Sequence, residues 1–192
     1  MTSIAIFSSG NGSNAENIAK YFSDNEDIRV SLIISNKKDA FVHDRAKRLG
    51  IPSYTFNKSE FDEASLILDT LKEYKIDFIV LAGFLLKVSE PILNAYNKRI
   101  VNIHPSLLPK HGGKGMYGDR VHTAVKNSKD TKTGITIHYV NENYDEGDII
   151  FQKMVDVLPD DTIEEIANKV HTLEYKFYPE VIEALLKKNS KR

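Results

Sequence analysis

The sequence predicts an α/β fold in which helices cover both faces of a mainly parallel, twisted sheet that ends in an antiparallel hairpin. Short β-rich apolar segments alternate with amphipathic helical segments through residue 103. Residues 78–82 are nearly all apolar, which is typical of a central parallel strand. Strands that are separated by helices pair in parallel through crossover connections, which makes the predicted arrangement Rossmann-like.

The first half of the chain contains five predicted strands and four predicted helices. The strands cover residues 3–7, 29–34, 53–56, 78–82 and 100–103. The helices cover residues 14–22, 40–49, 61–74 and 89–96. Gly50 is a typical cap for the end of the second helix, and Pro52 follows it closely.

The pattern changes in the second half, where a long loop with four glycines covers residues 107–119. A helix is predicted over residues 120–127. Residues 135–140 and 149–157 are predicted strands with only a polar loop between them, which indicates a hairpin. Residues 162–188 close the chain as helix. No linker divides the sequence, so we expect a single domain over residues 1–192.

Composition excludes several classes of protein. The net charge is −1, so no strong field favours nucleic acid or a membrane surface. Cysteine is absent, which excludes disulfides, thiolate nucleophiles and cysteine-ligated zinc. The apolar segment 4–7 is too short for a signal peptide, and no apolar run approaches the roughly 20 residues that span a bilayer. We expect a cytoplasmic protein that acts on small molecules as a monomer or homodimer.

A glycine-bearing loop, Ser-Gly-Asn-Gly-Ser-Asn over residues 9–14, connects the first strand to the first helix. Backbone N–H groups at a helix N-terminus bind anions, and glycine allows a phosphate to approach closely. The loop lacks the Lys of a Walker motif but fits the loose dinucleotide pattern Gly10-x-Gly12-x-x-Ala15. No acidic residue follows the second strand to hold a ribose, which weakens the dinucleotide interpretation. A tight turn without a ligand is the alternative.

Asn102 and His104 alternate with apolar residues, so both side chains lie on one face of the fifth strand. That strand ends at Pro105, at the carboxyl edge where open α/β sheets bind ligands. A neighbouring amide and imidazole can stabilise an oxyanion. By composition alone, a structural histidine explains His104 equally well.

The hairpin loop over residues 141–148 contains several carboxylates. These carboxylates can form a solvated loop, pair with a histidine or bind a metal. A carboxylate beside His104 favours the charged imidazole. No metal-ligand spacing is present, so we expect no metal. The remaining histidines, including His111, His122 and His138, are interpreted as structural, with His171 lying near Glu174.

Four segments, in this order along the chain, resemble the family of 10-formyltetrahydrofolate-dependent formyltransferases. They are the glycine-bearing loop at residues 9–14, Leu-Ala-Gly-Phe at residues 81–84, Asn-Ile-His-Pro-Ser-Leu-Leu-Pro at residues 102–109, and the hairpin loop that contains Asp145. The resemblance covers nearly the whole chain and favours the branch whose acceptor is glycinamide ribonucleotide, in de novo purine synthesis. It implies that the co-substrate 10-formyltetrahydrofolate donates the formyl group directly to an amine. Other branches carry a further C-terminal or N-terminal domain, for which we expect no room here.

The resemblance also implies roles for particular residues. Asn102, His104 and Asp145 correspond to the catalytic residues, and the resemblance implies that Asp145 raises the pKa of His104 above its ordinary value of about 6.5. Residues expected to bind glycinamide ribonucleotide are Gly12, Ser13, Asn14, His171 and Glu174. Residues expected to bind folate are Leu85, Leu86, Lys87, Val88, Asn102, Asn141, Glu142, Asn143, Tyr144 and Asp145. Residues 1–103 would form a phosphate- and nucleotide-binding half, and residues 104–192 a folate-binding and closing half.

Three positions depart from the family pattern. Leu86 and Ala64 stand where some members have arginines that contact folate, and residues 111–118 replace a Pro-Gly sequence. These changes bear on the folate tail and leave the three catalytic positions intact. Two alternatives stay open: a formyltransferase for a nucleotide-linked amino sugar, and a non-catalytic nucleotide-binding module.

Overall fold

A computed structural model describes residues 1–189, which form seven strands and seven helices. The strands are β1 (Thr2–Phe7), β2 (Ile28–Ser35), β3 (Ser53–Thr55), β4 (Phe78–Leu81), β5 (Ile100–His104), β6 (Lys132–Tyr139) and β7 (Ile149–Asp156). The helices are α1 (Ser13–Tyr21), α2 (Val42–Arg48), α3 (Lys58–Glu63), α4 (Ser65–Glu73), α5 (Glu90–Ala95), α6 (Asp119–Asn127) and α7 (Ile163–Asn189). None of these helices has an apolar stretch long enough to cross a membrane.

One seven-stranded sheet has the order β3-β2-β1-β4-β5-β6-β7. Strands β1 to β5 pair in parallel, whereas β6 is antiparallel to both β5 and β7. The predicted α/β fold and its terminal hairpin are therefore confirmed. The chain leaves β1 in one direction toward β3 and then returns to place β4 on the other side of β1. Ligands of open α/β sheets bind at such a switch point, beyond the carboxyl ends of the strands.

Two apolar clusters cover the two faces of the sheet. Ile4 and Ile6 of β1 face the first cluster, which contains buried residues of α1, α2 and α7. Ala5 and Phe7 face the second cluster, which contains buried residues of α3, α4 and α5. This division follows from the two-residue alternation of side chains along a strand, and it explains why both faces of the central strands are apolar.

The predicted helix over residues 61–74 is wrong in one respect, because the structure has two helices there. Ala64 separates them in a left-handed conformation with φ 62°. A capping box between Asn57 and Glu60 begins α3. Phe61 and Ile67, one from each helix, are both buried in the same cluster. Because the two helices bury the same side, the apolar pattern continues across the break and does not reveal it.

The loops after β1, β4 and β5 meet at the carboxyl edge of the sheet. The backbone N–H of Ser9 donates to the carbonyl of Gly83 at 3.0 Å, and the hydroxyl of Ser9 accepts from the N–H of Leu85 at 2.9 Å. From α7, the hydroxyl of Tyr178 donates to the carbonyl oxygens of Leu81 and Val101, at 2.9 and 3.3 Å. These contacts hold α7 and the loop after β4 against the edge that carries the candidate site.

Candidate active site

Asn102, His104 and Asp145 meet at the carboxyl end of β5. The first two lie on β5, and Asp145 lies in the loop between β6 and β7. Nδ1 of His104 is 3.4 Å from Oδ2 of Asp145, and Nδ2 of Asn102 is 3.4 Å from Oδ1 of the same carboxylate. The hairpin therefore brings a carboxylate to the amide and the imidazole that β5 presents. Contacts of this length are common in unliganded catalytic sites and shorten when substrates bind.

His104 is almost fully buried, and its second nitrogen is also paired. Nε2 lies 2.8 Å from the carbonyl oxygen of His111. Burial lowers the pKa of His104 below its ordinary value, and the charge of Asp145 offsets that effect only in part. The expectation that the pKa of His104 lies above its ordinary value is therefore wrong. Asp145 does raise this pKa, but burial lowers it by more. The cost of desolvating an imidazolium in this packed position exceeds its attraction to one carboxylate.

The Asp145 carboxylate is ionised and held from several sides. It accepts a hydrogen bond from the backbone N–H of Gly113 at 2.9 Å. Burial alone would raise its pKa, but the neighbouring His138 and His104 side chains and the hydrogen bond from the Gly113 N–H together lower it. Asp145 itself has a left-handed backbone, with φ 58°. This conformation turns the loop so that the side chain faces β5.

His138 belongs to this cluster, although the sequence analysis interprets it as structural. It lies directly opposite Asn102 in the antiparallel pairing of β5 and β6. Its Nε2 is 3.1 Å from Nδ2 of Asn102 and 3.7 Å from Oδ1 of Asp145, and its Nδ1 is 2.8 Å from the carbonyl oxygen of Tyr139. Because a carbonyl accepts only, Nδ1 carries the proton and Nε2 of the neutral ring accepts from the Asn102 amide. The sequence alone did not place His138 in this cluster, because its position depends on the register in which β6 pairs with β5.

A cavity of about 570 Å³ adjoins the cluster of Asn102, His104 and Asp145. The glycine-bearing loop forms one wall, with Gly12, Ser13 and Asn14 at the N-terminus of α1. Gly12 has φ 75°, and a Cβ atom added there would lie 2.4 Å from Cγ2 of Val42 on α2. Glycine is therefore required at this position by packing and by backbone conformation. The turn places the N-terminus of α1, which has no side-chain cap, in the wall of the cavity, and a helix N-terminus favours an anion.

The other predicted nucleotide-binding residues face this loop from α7. Nδ2 of Asn14 donates to Oε2 of Glu174 at 3.0 Å, and Nδ1 of His171 lies 2.8 Å from the same oxygen. Hydrogen bonding to Glu174 raises the pKa of His171, despite partial burial of the ring. Glu174 is buried and lines the cavity, as does His171. The structure thus joins residues that are 160 positions apart in one polar wall.

The predicted folate-binding segments 85–88 and 141–145 come together around a second, smaller cavity of about 60 Å³. Most of the predicted residues line it: Leu86, Lys87, Val88, Asn102, Asn141, Asn143, Tyr144 and Asp145. Leu85 lines the larger cavity instead. Glu142 is exposed and lines neither of these two cavities.

Ala64 and Leu86, which stand where some family members have arginines, both contact the second apolar cluster. Ala64 is fully buried in the second apolar cluster. Leu86 contacts the same cluster and is half-buried. Lys87, which follows Leu86 in the sequence, is exposed at the smaller cavity.

Three basic residues in the wall of the larger cavity are absent from the sequence-based set. Lys114 lies in the loop of residues 107–119, and Arg120 and His122 lie on α6. The sequence offered only weak signals for them: charged residues in a loop and one histidine on an amphipathic helix. Within residues 1–189, no group of three or more histidine and carboxylate side chains is arranged to hold a metal ion.

The comparison with known families identifies the class of this site. Residues 2–182 match the model of the formyl transferase family. The chain belongs to the formyl transferase family. The cluster of Asn102, His104 and Asp145 and the residues that line both cavities lie within the matched region.

Individual members of the family are similar over the whole chain. The phosphoribosylglycinamide formyltransferase of Bacillus subtilis is 39% identical over 100% of this chain and 98% of its own length. The chloroplastic enzyme of that name from Arabidopsis thaliana is 42% identical over 98% of this chain, which spans 66% of the plant protein. Among solved structures, that of the enzyme of the same name from Streptococcus pneumoniae superposes with a TM-score of 0.85, at 39% identity, and covers 96% of this chain and 99% of its own. The structure from Bacillus halodurans gives a TM-score of 0.89 at 36% identity and covers 98% of this chain and 97% of its own.

Proposed function

We propose that this family member transfers a formyl group from 10-formyltetrahydrofolate to the amine of glycinamide ribonucleotide, a step of de novo purine synthesis. One observation supports the proposal most directly: Asn102, His104 and Asp145 form a largely buried cluster where a cavity with a helix N-terminus in its wall meets a second cavity that has both polar and apolar walls. This arrangement suits a phosphorylated amine on one side and a flat ring system on the other. The similarity to named phosphoribosylglycinamide formyltransferases favours this acceptor.

The side chains at the junction are suited to direct amine attack on a formyl carbon. Nδ2 of Asn102 would donate to the formyl oxygen as negative charge develops on it; one such donor lowers a barrier by roughly 3 kcal/mol. His104 is neutral in the free protein, and Nδ1, the nitrogen that faces Asp145, is free to accept the proton that the amine loses, directly or through water. The imidazolium so formed is held by Asp145 and adds positive charge beside the formyl oxygen. It then gives the proton to N10 of the folate as the bond between N10 and the formyl carbon breaks, which releases tetrahydrofolate and the formylated amine.

The folate co-substrate would supply the formyl group. Leu86, Val88 and Val140 give the smaller cavity apolar walls that suit a pterin ring, and the 141–145 loop offers backbone polar groups at its rim. Residues 12–14 with Glu174 and His171 would hold the phosphate and sugar of the acceptor. No metal takes part in this scheme, so activity should survive a chelator. The division of the chain at residue 103, a cytoplasmic location and a monomeric or homodimeric state stay predictions.

The test is a formyl-transfer assay with the purified protein and 10-formyltetrahydrofolate. Glycinamide ribonucleotide and a nucleotide-linked amino sugar would be offered separately as acceptors. We expect product with the ribonucleotide, and His104→Ala should abolish it without a loss of melting temperature greater than that of an ordinary core substitution. Product with the amino sugar alone would replace the acceptor assignment. Binding of the ribonucleotide with no transfer to either acceptor would support the non-catalytic nucleotide-binding module.

A further inference from the structure

His122 on α6 is a buried histidine without a partner. The residue is 1% exposed, and neither Nδ1 nor Nε2 has a hydrogen-bond partner among residues 1–189. A buried polar group without a partner costs about 1–3 kcal/mol, so nearly all such groups in native proteins are satisfied. A well-packed apolar side chain would suit this helix position better if packing were the only requirement.

The position of His122 connects it with the larger cavity. The residue belongs to the cavity wall, and its ring contacts that of His171 edge to face, with centroids 6.2 Å apart. The nearby charges that act on it are those of His171, Glu174, Asp119 and His104. His122 is therefore close enough to both Glu174 and His104 to interact with them electrostatically, and it shares the wall of the larger cavity with them. A phosphorylated amine that reaches from Glu174 to His104 presents its sugar here.

A second unpaired polar atom flanks the same wall. Oδ1 of Asn14 is buried and has no partner within residues 1–189, while Nδ2 of Asn14 donates to Glu174. One unpaired acceptor and one unpaired imidazole thus lie near the Glu174 carboxylate. Burial and the neighbouring His171 lower the pKa of His122, which keeps the ring neutral. A neutral imidazole has one donor and one acceptor, and a hydroxyl group complements it because a hydroxyl can accept and donate.

We propose that His122 binds a ribose hydroxyl of the nucleotide acceptor, with Glu174 and Asn14 on the other side of the sugar. This inference rests on the proposed function, because it takes glycinamide ribonucleotide as the ligand of the larger cavity. It assigns a substrate contact to α6, an element to which the sequence analysis gave no part in the site. An ionised phosphate or carboxylate is a poorer match, because it only accepts hydrogen bonds and would leave the acceptor nitrogen of the neutral ring unpaired.

The decisive variant is His122→Phe, which keeps a flat ring and removes both nitrogens. We expect the melting temperature to stay level or rise, because an unpaired polar group is replaced by an apolar one. The KM for glycinamide ribonucleotide should rise roughly tenfold, and that for 10-formyltetrahydrofolate should not change. His43→Phe is the matched control, because His43 lies outside both cavities and its bonds to Ser53 and Thr55 are remote from the site.

Competition by ribose 5-phosphate shows whether the affinity lost in His122→Phe comes from contacts to the sugar or from contacts to the glycinamide group. If His122 holds the ribose, His122→Phe should weaken inhibition by ribose 5-phosphate by about the same factor as the affinity for the full nucleotide. A stable His122→Phe protein with unchanged KM for glycinamide ribonucleotide would overturn the proposal. Weakened binding of the nucleotide alone, with ribose 5-phosphate unaffected, would overturn the assignment to the sugar.

A direct measurement covers the case in which His122→Phe does not fold. With ¹⁵N-labelled histidine in the wild-type protein, the His122 ring signals should shift when glycinamide ribonucleotide is added. Unchanged His122 signals in a protein that binds the nucleotide would count against the contact. Failure of the proposed function gives a different result, because the wild-type protein would then neither bind nor formylate the nucleotide.

Discussion

Nε2 of His104 lies 2.8 Å from the carbonyl oxygen of His111, so this nitrogen carries the proton of the neutral ring. The opposite nitrogen, Nδ1, faces the Asp145 carboxylate and is the atom that takes up a further proton. His111 lies in the loop of residues 107–119 and has a left-handed backbone conformation. Its own ring lies 2.7 Å from the carboxylate of Asp130. The conformation of this loop therefore determines the tautomer of the catalytic imidazole.

Asp145→Asn should lower kcat by roughly 10²-fold and leave substrate binding nearly unchanged, since the carboxylate matters most when His104 becomes charged. It should also lower the pKa of His104 further, because the charge that opposes the effect of burial is lost. Steady-state kinetics and NMR titration of His104 measure the two effects. Asp148→Asn, an exposed change in the same loop, is the control. A His104 pKa that rises in Asp145→Asn would contradict the assigned pairing.

His138→Phe should lower kcat by less than Asn102→Ala, for which roughly 10²–10³-fold is expected. Nε2 of His138 accepts from the Asn102 amide, so its loss leaves Asn102 present but less well oriented. The double variant should be little worse than Asn102→Ala, because one effect acts through the other. A kinetic double-mutant cycle measures this coupling. Fully additive losses would show that His138 does not act through Asn102.

Gly12→Ala should destabilise the protein by roughly 1–3 kcal/mol. The added methyl group would meet Val42 at 2.4 Å, in a backbone conformation that favours glycine. Gly10→Ala is the matched control from the same loop, since a Cβ atom there has no neighbour within 4 Å. Urea unfolding of both variants measures the difference. Equal stability of the two would argue against the packing of this loop on α2.

Glu174→Gln should raise the KM for glycinamide ribonucleotide roughly tenfold, because the carboxylate is the acceptor offered to the sugar. The same change should lower the pKa of His171 toward its ordinary value, as hydrogen bonding to Glu174 raises it in the wild type. The imidazolium of His171 would then be lost at lower pH. Kinetics and histidine NMR test both results, and Glu180→Gln on the exposed side of α7 serves as the control.

Lys87→Gln should weaken binding of 10-formyltetrahydrofolate roughly two- to fivefold, because an exposed charge contributes little. Lys87 is the exposed cation that lines the smaller cavity, where the neighbouring Leu86 carries no charge. The loss should shrink at high salt, which screens exposed charges. Fluorescence titration at two salt concentrations, with Lys72→Gln as the control, tests this. Equal affinity of both variants would remove Lys87 from the folate site.

The sequence by itself determined the parts of this protein that depend on local periodicity. Alternation along β5 placed Asn102 and His104 on one face, and the glycines of residues 10 and 12 marked the turn before α1. The alternating strand and helix segments predicted the order of the elements, apart from the break at Ala64, and they predicted most element bounds to within a few residues. These features depend on neighbouring residues, so a single sequence contains them.

Only the tertiary structure decided which distant groups meet and what their environment does to them. Asn102 and Asp145 are 43 residues apart, and their contact depends on the conformation of the hairpin loop. The downward shift in the pKa of His104 depends on desolvation by packed neighbours, which no local pattern records. His138 and His122 joined the site because strand register and helix placement are set by packing across the whole sheet.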